Sequence, residues 1–142
     1  MAYLIDTNVA SELRKAGAAH PQLIAWSTRV DRSSMFLSVL VVGEIRRGIE
    51  NVRRKDPEKA RTLDAWCSHV VGVFSGRILP VTQEIAETWG RLSAPDKLPP
   101  VDGLLAATAI VHDLILVTRN TRDVARTGVK LLNPFDEPSS EG

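Results

Sequence analysis

Short apolar runs alternate with longer segments of helical spacing along this chain. The runs are almost continuously hydrophobic, which is typical of strands in a parallel sheet that is covered on both faces. We predict strands at residues 3–5, 35–37, 78–79, 114–117 and 129–132. Apolar spacing and helix-start signals predict helices at residues 8–14, 21–29, 40–54, from 57 onward, 82–91, and after the Pro99–Pro100 pair up to 112. Together they predict a three-layer α/β/α domain with right-handed crossovers and a central, mostly parallel, five-stranded sheet.

Size, composition and charge narrow the class of protein. A length of 142 residues predicts one domain, which we place at residues 1–136 with a flexible C-terminal tail at 137–142. The hydrophobic fraction of 44% and charged fraction of 25% exclude a disordered chain. A net charge of +1 gives no evidence that the protein binds nucleic acid through its overall charge, which leaves only a local basic patch for such binding.

The single cysteine, Cys67, excludes a disulfide scaffold and multi-cysteine metal sites. No apolar run reaches the roughly 18 residues of a membrane span. The first residues lack the basic segment and cleavage site of a signal peptide. We therefore expect a soluble cytoplasmic protein.

Several polar residues lie where a predicted strand gives way to a helix or where a helix begins. Asp6 follows the first strand, Asp102 begins the alanine-rich helix, and Asn120 and Asp123 follow the fourth strand. Each is equally well explained as a helix cap or a turn residue when taken alone. Glu44 instead lies at the edge of the apolar face of its helix. The simpler explanation for it is that its side chain extends from this edge into solvent.

The joint placement of these residues points to chemistry. Strand-to-helix junctions of a parallel sheet lie along one edge, where ligands bind. Converging carboxylates repel one another and raise each other's pKa unless a cation neutralises them. Gly48, one turn after Glu44, leaves space beside that carboxylate although glycine costs about 1 kcal/mol in a helix interior. Oxygen ligands without His or Cys favour Mg²⁺ or Mn²⁺, and such an ion suits phosphoryl chemistry.

Four motifs occur in order with characteristic spacing. They are Asp6-Thr7-Asn8, Ser38 followed by Glu44-Ile45-Arg46-Arg47-Gly48, Pro100-x-Asp102 with Ala106-Ala107-x-Ala109, and Thr118-x-Asn120-x-x-Asp123. Together they resemble PIN-domain proteins and, more narrowly, the VapC-type toxins of bacterial type II toxin–antitoxin pairs. The similarity covers essentially the whole chain, and the Leu-Asn-Pro-Phe segment at 132–135 matches the ending of one branch of that family.

The resemblance implies a PIN-like fold and a Mg²⁺- or Mn²⁺-dependent endoribonuclease that hydrolyses RNA phosphodiester bonds. Asp6, Glu44 and Asp102 match the family's principal acids. The first and last of these would coordinate the metal, and Glu44 would contact it or orient a bound water. Asn120 and Asp123 match positions that would complete the site or hold a second ion.

Further positions and partners follow from the same resemblance. Thr7 and Thr118 match hydroxyl positions around the site. The toxin would form a homodimer and a hetero-oligomer with a small, DNA-binding, VapB-like antitoxin that wraps the dimer and blocks the acidic pocket. Gly43 and Val124 depart from the residues common in the family. Asn120 in place of an Asp leaves one fewer negative charge, which weakens the case for a tightly held second metal.

Arginines near these motifs are candidates for RNA binding. Arg46 and Arg47 place positive charge on the helix of Glu44, although a solvated helix face explains them equally well. Arg119 and Arg122 lie nearer the predicted site and are better candidates for phosphate contacts.

Three other functions compete with the nuclease. A phosphotransfer receiver would need an acidic neighbour beside Asp6, and a haloacid-dehalogenase-type phosphatase would need an acid at Asn8. A non-catalytic PIN-fold module that acts only by partnering a DNA-binding antitoxin stays open. The retention of Asp6, Glu44 and Asp102 counts against it.

Overall fold

A parallel sheet forms the centre of the molecule. The computed structural model describes residues 1–136. The strands within them are β1 (Tyr3–Ile5), β2 (Met35–Ser38), β3 (Ile78–Leu79), β4 (Ile115–Val117) and β5 (Leu131–Leu132). Their order in the sheet is β3-β2-β1-β4-β5, and every pairing is parallel. The predicted α/β fold is confirmed, and the sheet is parallel throughout this part of the chain.

The strand order determines where the helices lie. The chain moves outward from β1 to β3 and then crosses back to β4 and β5. Since such crossovers are right-handed, the two directions place their helices on opposite faces of the sheet. The helices are α1 (Thr7–Leu13), α2 (Pro21–Arg29), α3 (Val39–Arg53), α4 (Pro57–Val73), α5 (Gln83–Leu92) and α6 (Pro100–His112).

Two strands begin later than predicted. The backbone N–H groups of their predicted first residues donate hydrogen bonds to neighbouring turns and not to an adjacent strand. The backbone N–H of Leu114 donates to the Ala109 carbonyl at the end of α6 (2.8 Å), so β4 begins one residue later. The N–H of Val129 donates to the Thr127 hydroxyl (3.2 Å), and β5 begins only at Leu131.

The hydrophobic core lies on both faces of the sheet. Packing against it orients the helices that lie at the carboxyl edge of the sheet. Leu4, Leu37 and Leu116 from adjacent strands are almost fully buried. On α6, a Cβ at Gly103 would lie 3.0 Å from both Leu98 Cβ and a Trp89 ring carbon. The absence of a side chain at Gly103 therefore permits the close packing of α5 against the first turn of α6.

Among the described residues, no helix has the length and apolarity needed to cross a membrane. The predicted tail at 137–142 lies outside the described residues.

Candidate active site at the carboxyl edge of the sheet

Asp6 connects β1 to α1 and is held in place by both its backbone and its side chain. Its N–H donates to the Val117 carbonyl of β4 (3.1 Å), and its Oδ1 accepts from the Val9 N–H (2.9 Å) as the cap of α1. The residue is only 6% exposed. The capping explanation for Asp6 is therefore correct, and the same hydrogen bond orients the carboxylate at the sheet edge.

A cleft of about 330 Å³ brings together three acids that are far apart in the sequence. Asp6 comes from the β1–α1 junction, Glu44 from α3 and Asp102 from the first turn of α6. Gly48 also lines the cleft, and a Cβ at this position would meet no other atom within 4 Å. The space that the sequence predicted beside Glu44 is thus present.

Both carboxylate oxygens of Glu44 have partners. The Thr7 hydroxyl donates to Oε1 (2.5 Å), and the Arg47 guanidinium lies 3.6 Å from Oε2. The Glu44 side chain is 26% exposed, whereas that of Arg47 is 74% exposed. Thr7 therefore holds the carboxylate from the α1 side, and the exposed Arg47 pairs with it from the solvent side of the cleft.

Asn120 and Asp123 join Asp102 beside the cleft. The Asn120 Nδ2 donates to Asp102 Oδ2 (3.2 Å) and to Asp123 Oδ2 (2.6 Å). The backbone N–H of Asn120 donates to the Thr118 hydroxyl oxygen (3.0 Å). The hydroxyl of the buried Thr118 also lowers the pKa of Asp6 and so favours its carboxylate form. The residues predicted from the fourth strand thus form one polar network with the first strand and α6.

Two acids of the cleft, Asp6 and Asp102, have raised pKa values. Burial raises the pKa of Asp6 above its ordinary value, and the charges of Asp102 and Glu44 add to the rise, while hydrogen bonds from Thr118 and Val9 oppose it. Burial also raises the pKa of Asp102, helped by the charges of Asp123 and Glu44. A cation in the cleft would relieve this repulsion.

The donor set suits a hard divalent cation. The acids of the cleft offer carboxylate oxygens, and none of the residues that line it between positions 1 and 136 is a His or Cys. Within those residues, no three His, Cys, Asp or Glu side chains already form a group that could hold an ion. Mg²⁺ is commonly held by only one or two carboxylates and keeps several waters. Asp6 and Asp102 fit that mode of binding.

The four candidate arginines are in different surroundings. Arg47 lines the cleft, but Arg46 points to α4, where its guanidinium lies 2.6 Å from Asp64 Oδ1. The Arg119 guanidinium is stacked over the Phe135 ring at 3.7 Å from its centroid. Arg122 is exposed beside Asp123. Arg47 is therefore the candidate that the structure places at the acids.

Sequence reasoning missed Asn51 and Leu105 among the cleft residues. Asn51 lies on α3 one turn beyond Gly48 and two turns beyond Glu44, so helical spacing could have identified it. Leu105 lies on α6, one turn after Asp102, and the same spacing applies to it.

A second, larger groove of about 600 Å³ lies between α1, α2 and α4. Its lining includes Arg14, Trp66 and Phe74. Among the described residues that line it, none is acidic, so it does not share the chemistry of the cleft.

Comparison with known proteins agrees with this geometry. The family model described as "PIN domain" matches residues 3–130. VapC ribonuclease Y4jK from Sinorhizobium fredii is 29% identical, over 94% of this chain and 97% of that protein. Toxin FitB from Neisseria gonorrhoeae is 28% identical, over 94% of this chain and 99% of that protein.

Solved structures show the same fold. A structure of FitAB bound to a DNA fragment contains a chain with a TM-score of 0.87 and 26% identity, covering 97% of this chain and 99% of that one. A structure of FitAcB from Neisseria gonorrhoeae gives a TM-score of 0.85 and 27% identity, covering 94% and 98%. Since the family model extends from β1 to the residue before β5, this chain belongs to the PIN domain family.

Proposed function

We propose that this chain is the toxin of a toxin–antitoxin pair and acts as a divalent-metal-dependent endoribonuclease. The observation that carries the proposal is the convergence of Asp6, Glu44 and Asp102 in one cleft at the carboxyl edge of the sheet. Relatives named VapC ribonuclease and toxin FitB support both the reaction and the toxin role. Hydrolysis of RNA would take place in the cytoplasm.

Asp6 and Asp102 would hold Mg²⁺ or Mn²⁺, with Glu44 close by. When bound, such an ion lowers the pKa of a coordinated water and stabilises charge on the phosphate oxygens. The α1 cap keeps the Asp6 carboxylate at the sheet edge. The close packing at Gly103 fixes the first turn of α6 and therefore the position of Asp102. These contacts preorganise the acids before substrate binds.

Glu44 and Arg47 would act on the substrate side of the cleft. Thr7 holds one oxygen of Glu44, which leaves the other near the exposed Arg47. An RNA phosphate that enters the cleft meets repulsion from the acids, and Arg47 supplies a compensating cation. Arg46 has no such role in the proposal, because its guanidinium is engaged by Asp64.

We also propose that the chain assembles with a small DNA-binding antitoxin. The similar solved chains come from FitAB bound to DNA and from DNA-bound VapBC of Salmonella typhimurium, the latter with a TM-score of 0.76. On this proposal the free toxin is a homodimer, and the antitoxin blocks the acidic cleft.

The test is RNA cleavage by the purified, antitoxin-free protein with Mg²⁺ or Mn²⁺, in the presence and absence of EDTA. We expect cleavage that EDTA abolishes and that is lost in Asp6→Asn and Asp102→Asn. Asp113→Asn is the matched control, because Asp113 is exposed, pairs with Lys130 and has a left-handed φ of 53° that Asn tolerates.

Cleavage that persists in EDTA, or full activity of both site variants, would overturn the metal-dependent mechanism. No cleavage combined with tight antitoxin binding would instead favour the non-catalytic binding module.

A further inference from the structure

The side-chain amide of Asn120 lies between two carboxylates. Its single nitrogen, Nδ2, is 3.2 Å from Asp102 Oδ2 and 2.6 Å from Asp123 Oδ2. Its backbone N–H is held by the buried Thr118 hydroxyl. The position of the amide is therefore set from the backbone as well as from the side chain.

The chemistry of the partners fixes the orientation of this amide. Ionised carboxylates only accept hydrogen bonds, so the NH₂ group and not the carbonyl oxygen must face Asp102 and Asp123. Both amide protons are then used, one for each carboxylate. The NH₂ group thereby screens two acids whose mutual repulsion contributes to the raised pKa of Asp102.

We propose that the NH₂ group of Asn120 occupies the place between Asp102 and Asp123 that a second cation would need, so that the cleft takes one divalent ion per chain. This inference rests on the proposed metal-dependent function and makes it more specific. Asp123 is then a positioning residue that acts on Asp102 through Asn120, and it is not an ion ligand.

Replacing Asn120 by Asp tests this directly because the two side chains have nearly the same shape. The change removes two donors and leaves three carboxylates facing one another at positions 102, 120 and 123. Such a group is strained by repulsion unless a cation binds within it. We therefore expect Asn120→Asp to create a second ion site.

The experiment measures Mn²⁺ stoichiometry by calorimetry and by electron paramagnetic resonance of free Mn²⁺. We expect one ion per chain for the wild type and two for Asn120→Asp. The double variant with Asp123→Asn should return to one ion. Thermal unfolding without metal shows whether each variant is folded.

A single variant, Asp123→Asn, keeps the test decisive even if Asn120→Asp does not fold. We expect it to retain one ion, with affinity lowered by about 10- to 100-fold, as for residues that orient a ligand without touching the metal. Asp102→Asn should lose the ion.

Two ions in the wild type, one ion in folded Asn120→Asp, or loss of an ion in Asp123→Asn would overturn the inference. Two ions together with metal-dependent RNA cleavage would leave the proposed function standing. If the wild type bound no ion, both proposals would fail.

Discussion

Replacing Gly48 by Ala should make the protein more stable and less active at once. Gly48 lies inside α3 and a Cβ there would meet no atom within 4 Å, so the new methyl group causes no clash. The helix should gain about 0.8–1.0 kcal/mol from replacing glycine in its interior. For a domain of this size, that corresponds to a rise of about 3 °C in Tm.

The loss of activity has a different origin. The methyl group would project into the acidic cleft that Glu44 also lines, where the proposed RNA substrate would approach. Displacing a reacting group by about 1 Å can cost on the order of 100-fold in rate, so we expect RNA cleavage to fall between about 10-fold and 100-fold.

Gly43→Ala is the matched control. Gly43 lies on the same helix, and a Cβ there also meets nothing within 4 Å, but Gly43 is not among the described residues that line the cleft. It should show the same gain in Tm with wild-type cleavage. Equal cleavage by the two variants would refute a substrate path past Gly48. A lower Tm for Gly48→Ala than for the wild type would show that this position has no room for a methyl group.

Three further changes have separate readouts. Arg47→Ala should weaken RNA binding and reduce its salt dependence, whereas Arg61→Ala, which removes an equally exposed arginine from α4, should not. Asp6→Asn should raise the unfolding free energy of the metal-free protein at neutral pH and abolish the rise in Tm that we expect Mg²⁺ to give the wild type. Gly103→Ala should cost about 1–3 kcal/mol by overpacking against Trp89.

The pH dependence of the Asp6 effect has a definite sign. Burial raises the native pKa of Asp6 above the ordinary value of 3.8, so the native state binds more protons than the unfolded state between those two values. Stability therefore falls as pH rises through that window, and this loss persists at neutral pH. Asn keeps the α1 cap without the charge, so Asp6→Asn should show a flatter pH profile. A variant that is less stable than the wild type at neutral pH would contradict this reasoning.

Most of the fold was predictable because the strands are continuous apolar runs with clear helix signals between them. The ends of the strands were harder to predict. Leu114 and Val129 are apolar, but the N–H group of the first bonds to a carbonyl at the end of α6 and that of the second bonds to a side-chain hydroxyl. Hydrophobicity carries no information about such local hydrogen bonds.

The acids of the candidate site could be predicted from the sequence, but the contacts of the residues around them could not. Arg46 and Arg47 are neighbours in the sequence, yet the rotation of about 100° per helical residue sends one to Asp64 and the other to the cleft. The bridge from Asn120 to two carboxylates depends on loop geometry that no periodicity encodes.

The most direct measurement of the proposed centre is the paramagnetic broadening of backbone amide resonances by substoichiometric Mn²⁺. We expect the broadening to centre on residues 6, 44 and 102, which only the folded cleft brings together, and to disappear from them in Asp102→Asn. Broadening centred on the exposed acids of α4, or none at residues 6 and 102, would contradict a metal-dependent nuclease centre at this edge of the sheet.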